Sequence, residues 1–453
     1  MPKNYRRYVN RNPKDKSGHY NLAVTLEAAH QVEPAILSYC RAIEIDPWYP
    51  EALNNLGILL HSKGNLPAAR QCFARALASR PGYEDAEYNL ATLESNAGNY
   101  QDAVFHFSRV LERNPSRANA WNNLGNALLA LRSPAEALQA FQLALGLQPG
   151  FPDAQWNSSV AQLTLGKLPE GWNGFELRGQ LRHGTLPRWN GSDIPGKQIL
   201  VHAEQGLGDT IQFARYCGQV KKSGAHITLE CHPQLLPLLQ CVPGVDTFVG
   251  FGTSLPHADF QVPLMSLPLV FHSALEDISG TRPYLSADPN LLQEWRIRMV
   301  SPPRHLKVGL VWAGNPGHRN DHNRSISPDL LSALEQPENV SFFSLQQKPQ
   351  SKSFTGIQFA GIYDELTFSD TAAIIANLDL VISVDTAVAH LAGALGKTVW
   401  NLLPFAPDWR WMLERSDTPW YPTMRLFRQP RLNDWPSVLH SVGSELKQLA
   451  NSI

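Results

Sequence analysis

The sequence predicts an α-solenoid followed by an α/β region built from two parallel-sheet domains. Three observations predict it. Asn21, Asn55, Asn89, Asn123 and Asn157 recur every 34 residues, as do Tyr39, Phe73, Phe107, Phe141 and Phe175 and the closing prolines Pro47, Pro81, Pro115 and Pro149. A fixed period of that length is the mark of stacked helix–turn–helix units. From about residue 199 short apolar runs alternate with helical segments, the pattern of parallel strands joined by crossover helices. That cycle restarts after Pro302-Pro303, so the α/β region divides in two.

Four units, 16–49, 50–83, 84–117 and 118–151, align without gaps. In each, a small residue follows a leucine (Leu22-Ala23, Leu56-Gly57, Leu90-Ala91, Leu124-Gly125), and Ala35, Ala69, Ala103 and Ala137 hold one slot of the second helix. Small residues at those slots let the two helices of a unit approach closely. The prolines cannot continue a helix and end each unit. A fifth unit, 152–185, keeps Asn157 and Phe175 but has Gly171 at the small slot and no closing proline. An atypical last repeat is expected to cap the stack or dock on the neighbouring domain. These units resemble the tetratricopeptide repeat, which implies a helical solenoid over 1–185.

The asparagine slot has two readings. Packing does not require an amide there. Near the concave face an amide offers a donor and an acceptor, which suits the backbone of an extended peptide. Such a row resembles the asparagine ladder in the repeat domain of O-GlcNAc transferases, which grips protein substrates. In the other reading each amide bonds within its own repeat.

Composition narrows the function class. The chain of 453 residues is 43% hydrophobic, enough for two to four cores. A formal charge of −1 gives no basic footprint for nucleic acid. The five cysteines form no CxxC pair and read as buried thiols of a cytoplasmic protein. The basic start lacks the apolar core of a signal peptide, and the apolar stretch 378–395 carries Asp379, Asp385 and His390, so no membrane span is expected. No metal set and no Asp-x-Asp motif is legible.

In the α/β region, strands are predicted at 199–203, 225–231, 248–249, 260–262, 307–313, 340–345, 378–384 and 398–403. Helices are predicted at 209–222, 233–241, 327–334, 370–376 and 386–395, with a last helix, 435–449, placed to cross back to the first domain. Ligands in open α/β sheets bind beyond the carboxyl ends of strands, and three loops lie there. The first, Glu204 to Thr210, contains Gln205, Gly206, Gly208 and Asp209. Asp209 serves as a helix N-cap or as a cleft carboxylate able to take a proton from a hydroxyl. The second, Trp312 to Ser325, is dense in donors and includes Gly314, Asn315, Arg324 and Ser325; Arg324 suits a diphosphate. The third runs from Ser383 to Lys397. Asp385 and Thr386 open a helix there, and Thr386 and His390 share one face. Free backbone N–H groups at such a start favour phosphate.

Residues 190–430 resemble the ADP-heptosyltransferase family of glycosyltransferases. The resemblance implies the two-Rossmann-domain GT-B fold, with domains at 186–303 and 304–453. Gly208-Asp209 matches the family's amino-terminal motif, whose aspartate is the proposed base. Asp385-Thr386…His390…Ala394-Leu395-Gly396 matches its nucleotide-sugar motif, with Ala387 where glycine is common. Arg324 falls where the family carries a basic residue facing the diphosphate. Pro407-Asp408-Trp409-Arg410-Trp411 and Trp420-Tyr421-Pro422 are similar to stretches in bacterial proteins that join such repeats to this domain. The expected function is metal-independent glycosyl transfer, without a cofactor, from a nucleotide-diphospho sugar to a hydroxyl of a protein or peptide held by the repeats. A lipopolysaccharide or other glycan acceptor, or a non-catalytic scaffold, are the alternatives.

Overall fold

The structure is a computed structural model that describes residues 2–179, 182–278, 283–346, 357–359 and 366–452. It divides into two compact units, Met1–Ala161 and Gln162–Ile453.

The first unit is a stack of helices. After α1 (Pro2–Arg11) come the pairs α2 (Lys16–Glu27) and α3 (Val32–Ile45), α4 (Pro50–Ser62) and α5 (Leu66–Ser79), α6 (Glu84–Asn96) and α7 (Tyr100–Arg113), and α8 (Ala118–Ala130) and α9 (Pro134–Leu147). The fifth pair is α10 (Pro152–Thr164), which runs across the boundary between the units, and α11 (Leu168–Phe175). Each repeat buries its second-helix aromatic completely, as at Tyr39, Phe73, Phe107 and Phe141. The small slot works as expected: a Cβ on Gly57 would lie 2.6 Å from the Phe73 ring.

The turn between the two helices holds a further regularity. His30, Gly64, Gly98, Arg132 and Gly166 all have positive φ, between 55° and 80°. They too are 34 residues apart. The fold demands the left-handed region at this slot in every repeat, although glycine occupies only three of the five.

The second unit contains two parallel sheets. The first is ordered β3-β2-β1-β4, from β1 (Gln198–His202), β2 (His226–Cys231), β3 (Thr247–Gly250) and β4 (Phe260–Pro263). The second is ordered β10-β9-β8-β5-β6-β7. Its strands are β5 (Leu306–Val311), β6 (Val340–Ser344), β7 (Ile357–Phe359), β8 (Leu380–Val384), β9 (Val399–Leu403) and β10 (Met424–Arg428). Every pairing is parallel. With the helical stack, this is the predicted fold class, a solenoid followed by an α/β region consistent with GT-B.

Several expected elements differ in detail. The helix predicted over 209–222 is instead α12 (Leu207–Phe213) followed by single turns. The one predicted over 233–241 is broken because Pro237 supplies no N–H; a 3₁₀ turn, Pro233–Leu235, gives way to Leu236–Leu239. The segment expected as a helix at 327–334 is a 3₁₀ helix, Pro328–Ala333. The carboxyl-terminal helix Trp435–Ala450 packs on its own sheet, where Trp435, Val438, Leu439, Val442 and Leu446 join a core with Leu310, Ile382 and Leu402. Helix Pro289–Arg298 precedes the Pro302-Pro303 break, yet Trp295 donates from Nε1 to Asp370 Oδ1 at 3.1 Å, on the second sheet's helix Phe368–Ala376.

Candidate functional site

Both sheets have a point where the strand order reverses. In the first the chain runs from β1 out through β2 to β3, then returns to the other side of β1 with β4. In the second it runs from β5 through β6 to β7, then returns beside β5 with β8. Crevices at such points are where α/β sheets bind ligands. The loops after β1, β5 and β8 are the three singled out from the sequence.

The loops after β1 and β8 touch. A Cβ on Gly208 would lie 2.8 Å from His390 Cδ2 and 3.4 Å from the Ala387 Cα. Glycine at 208 is what lets α12 approach helix Ala387–Ala394. The N-cap of α12 is Gly206, so Asp209 is not the N-cap the sequence offered; it stands at the third helical position, and its Oδ2 accepts a hydrogen bond from the Gly206 N–H at 2.9 Å. Its other oxygen pairs with Arg410. One carboxylate therefore holds both the start of α12 and a guanidinium from the second sheet's half.

Asp385 and Thr386 lie between β8 and helix Ala387–Ala394, with Thr386 as the N-cap. Trp411 donates from Nε1 to Asp385 Oδ2 at 2.9 Å, and Arg324 Nη1 donates to the Asp385 carbonyl at 3.1 Å. Burial, and then the charge of Asp408, push the Asp385 carboxyl up to about 6. His390 lies under the Trp411 ring, with its Nδ1 3.0 Å from the Tyr421 hydroxyl. Burial first, then the guanidiniums of Arg410, Arg215 and Arg324, hold His390 well below the usual histidine range. It is neutral at pH 7, and two of those cations, Arg410 and Arg324, also act on Asp385 just before this helix.

The loop after β5 folds around Arg324. Ser325 Oγ accepts from the Gly314 N–H at 2.9 Å, and Arg324 Nε lies 3.2 Å from Asp321 Oδ1. A Cβ on Gly314 would meet the Arg324 guanidinium at 2.7 Å. Asn315 is exposed and its side chain accepts from the Gly317 N–H within its own turn. Gln205 is also exposed.

Sequence reasoning singled out the Pro407–Trp411 stretch but gave it no role in the site. The structure makes Arg410 a residue that joins both halves. Its Nε donates to Gln212 Oε1 at 2.6 Å, its Nη1 to Asp408 Oδ1 at 2.8 Å, and its Nη2 to Asp209. Trp409, next to it, packs edge-on against Trp172 and Phe175 of α11. A Trp-Arg-Trp run is the signal that could have found it, since an arginine between two buried tryptophans must be paired.

In the first unit the asparagine slot bonds mainly to the preceding repeat, which neither reading anticipated. Asn55 Nδ2 donates to the hydroxyls of Tyr39 (3.2 Å) and Tyr20 (3.4 Å), and Asn123 to that of Tyr88 (2.9 Å). Asn89 donates to Asn54 Oδ1 and Asn157 to Asn122 Oδ1, both at 2.9 Å. Asn21 is exposed. Among the described residues no helix is long and apolar enough to cross a membrane.

Comparison with known proteins agrees with this division. Tetratricopeptide repeat models match residues 51–80 and 88–152, and the Glycosyltransferase family 9 (heptosyltransferase) model matches 331–402. The last stretch contains Asp385, Thr386 and His390. The chain is 25% identical over 350 residues to Protein FlbA of Caulobacter vibrioides, covering 67% of this chain and 57% of that protein. Solved structures similar to the repeats include YrrB, described as a TPR protein with an unusual peptide-binding site. It is 22% identical, covers 39% of this chain and 91% of that one, and has a TM-score of 0.36. MamA is 21% identical, covers 34% of this chain and 91% of that one, and has a TM-score of 0.33. The chain joins tetratricopeptide repeats to a glycosyltransferase family 9 (heptosyltransferase) domain.

Proposed function

We propose that the chain is a glycosyltransferase that moves a sugar from a nucleotide-diphospho donor to a hydroxyl of a protein or peptide acceptor. The observation that carries this reading is the contact between the loops after β1 and β8, where Gly208 meets His390 and Ala387 and Asp209 is joined to Arg410. The donor diphosphate would lie at the start of helix Ala387–Ala394, where backbone N–H groups and the arginines favour anionic charge. Asp209 would take the acceptor hydroxyl proton as that oxygen bonds to the anomeric carbon. The carbon–oxygen bond to the diphosphate breaks, and its electron pair leaves with the nucleoside diphosphate, stabilised by the same cations. A neutral His390 adds no proton of its own and leaves the charge to the guanidiniums. The asparagine row and its neighbouring tyrosines would hold the acceptor, since an amide has two N–H groups and two lone pairs, more than the one or two bonds that Asn55, Asn89, Asn123 and Asn157 make to the preceding repeat.

The test is a thermal-shift screen with ADP, GDP, UDP, CMP and their sugars. A ligand of the folded state raises stability by about 2.7 kcal/mol at a hundredfold excess over its Kd. A shift with one nucleotide class, lost in Asp385→Ala and Arg324→Ala, is the expected result. A second reading, a non-catalytic scaffold, is favoured by one observation: Asp209 is already paired. No shift with any nucleotide would establish that second reading over the first.

A further inference from the structure

Each guanidinium nitrogen of Arg410 makes a hydrogen bond. It faces two carboxylates, Asp209 from the first sheet's half and Asp408 from its own, together with the amide oxygen of Gln212. Asp209 is equally occupied, with one oxygen on the Gly206 N–H and the other on Arg410. An acceptor hydroxyl arriving at this cleft meets a carboxylate whose charge is already neutralised by a guanidinium.

The surroundings suit an exchange of one anion for another. If Arg410 lets go of Asp209, it keeps Asp408 and Gln212, so no bare guanidinium is left buried. Asp209 keeps the Gly206 N–H, which holds its carboxylate in place at the start of α12. Arg410 and Arg324 both act on Asp385 and His390, so an anion at the start of helix Ala387–Ala394 lies within the influence of both.

We propose that Arg410 is a positioning residue with two partners in turn: it locks Asp209 until the donor's diphosphate draws it away and releases Asp209 to the acceptor. This rests on the donor reading given above. It means that the base is freed only when a donor is present. Donor and Asp209 are then competitors for one guanidinium, and a competitor lowers apparent affinity by the fraction of time it occupies the site.

The experiment is calorimetric titration of the full chain with ADP, GDP and UDP, in wild type, Asp209→Asn, Arg410→Gln and the double variant, each first shown to melt cooperatively. If Arg410 is on Asp209 about nine-tenths of the time, Asp209→Asn tightens nucleoside diphosphate binding about tenfold. That gain disappears in the Arg410→Gln background. A base that touches only the acceptor leaves donor affinity unchanged, so unchanged or weaker binding in Asp209→Asn overturns the lock while wild-type binding upholds the donor reading. Absence of binding by all three nucleotides in wild type overturns both. Should Arg410→Gln fail to fold, Asp408→Asn replaces it. Removing the other partner concentrates Arg410 on Asp209, and weaker donor binding is then expected; unchanged or tighter binding overturns the lock.

Discussion

The solenoid and the cleft use polar groups in opposite ways. In the repeats a bond made once is made again: Asn89 reaches Asn54, and 68 residues further on Asn157 reaches Asn122 at the same 2.9 Å. Tyr20 and Tyr88 alternate with Asn54 and Asn122 at the receiving slot, so the polar unit is a pair of repeats. In the cleft nothing repeats. Asp209, Gln212, Asp385, Asp408 and Arg410 come from separate stretches and meet once. Repetition spreads stability over many equal contacts, whereas a single convergence concentrates charge where an incoming anion can compete for it.

The largest expected effect tests the cleft. On the proposed reading, Asp209→Asn lowers the transfer rate about 10²–10⁴-fold, the usual contribution of a general base, with melting little changed. A loss under tenfold would remove Asp209 from that role. Next is the solenoid's own heaviest contact. Phe141 is fully buried against Gly125. Phe141→Ala should cost about 3–5 kcal/mol in urea unfolding. Phe73→Ala, at the same slot, should cost about the same. Unequal costs would break the claim that the slots are equivalent.

The same contrast decides what was legible in the sequence. Spacing alone revealed the repeats, because one residue type at one slot is visible as a period. The left-handed turn at 30, 64, 98, 132 and 166 escaped, since histidine and arginine at two of the five hide a purely backbone requirement. In the cleft, Asp209, Arg324, Asp385 and His390 were legible because each follows a strand. Arg410 was not, because its partners Asp209 and Gln212 lie about 200 residues away and no spacing rule links them. The final helix was expected to cross between domains; its apolar face fits the second sheet equally well in sequence, and only packing decides.

The next prediction concerns Asp385, whose carboxyl is pushed up to about 6 by burial, then by Asp408, against Trp411 and the charges of Arg410 and Arg324. A carboxylate raised in the folded state favours folding below its unfolded value near 3.8 and loses that contribution as pH climbs through about 6. Asp385→Asn abolishes the loss. Its stability relative to wild type should rise by about 2.4 kcal/mol between pH 4 and pH 8 in urea titrations. A flat difference would show that Asp385 is charged without penalty. Asn123→Ala is smaller. It removes the bond to Tyr88 and should cost about 1 kcal/mol. A peptide bound by the asparagine row would be weakened by the same change.

The smallest expected effect carries the sharpest sign. His30 and Gly64 occupy one slot of successive repeats, with φ of 55° and 78°. A residue with a Cβ is strained by about 1–2 kcal/mol in that region, while glycine loses about 0.5–1 kcal/mol through its freer unfolded chain. The two terms nearly cancel, and His30→Gly should come out stabilising by a few tenths to about 1 kcal/mol. Gly64→Ala should destabilise by a similar amount, and a Cβ there would touch nothing within 4 Å, so strain alone is measured. Opposite signs at 30 and 64 would show that the repeats share a backbone rule beneath different residues. Equal signs would mean that the slot is set by its side chain after all, and that the solenoid is less regular than its period.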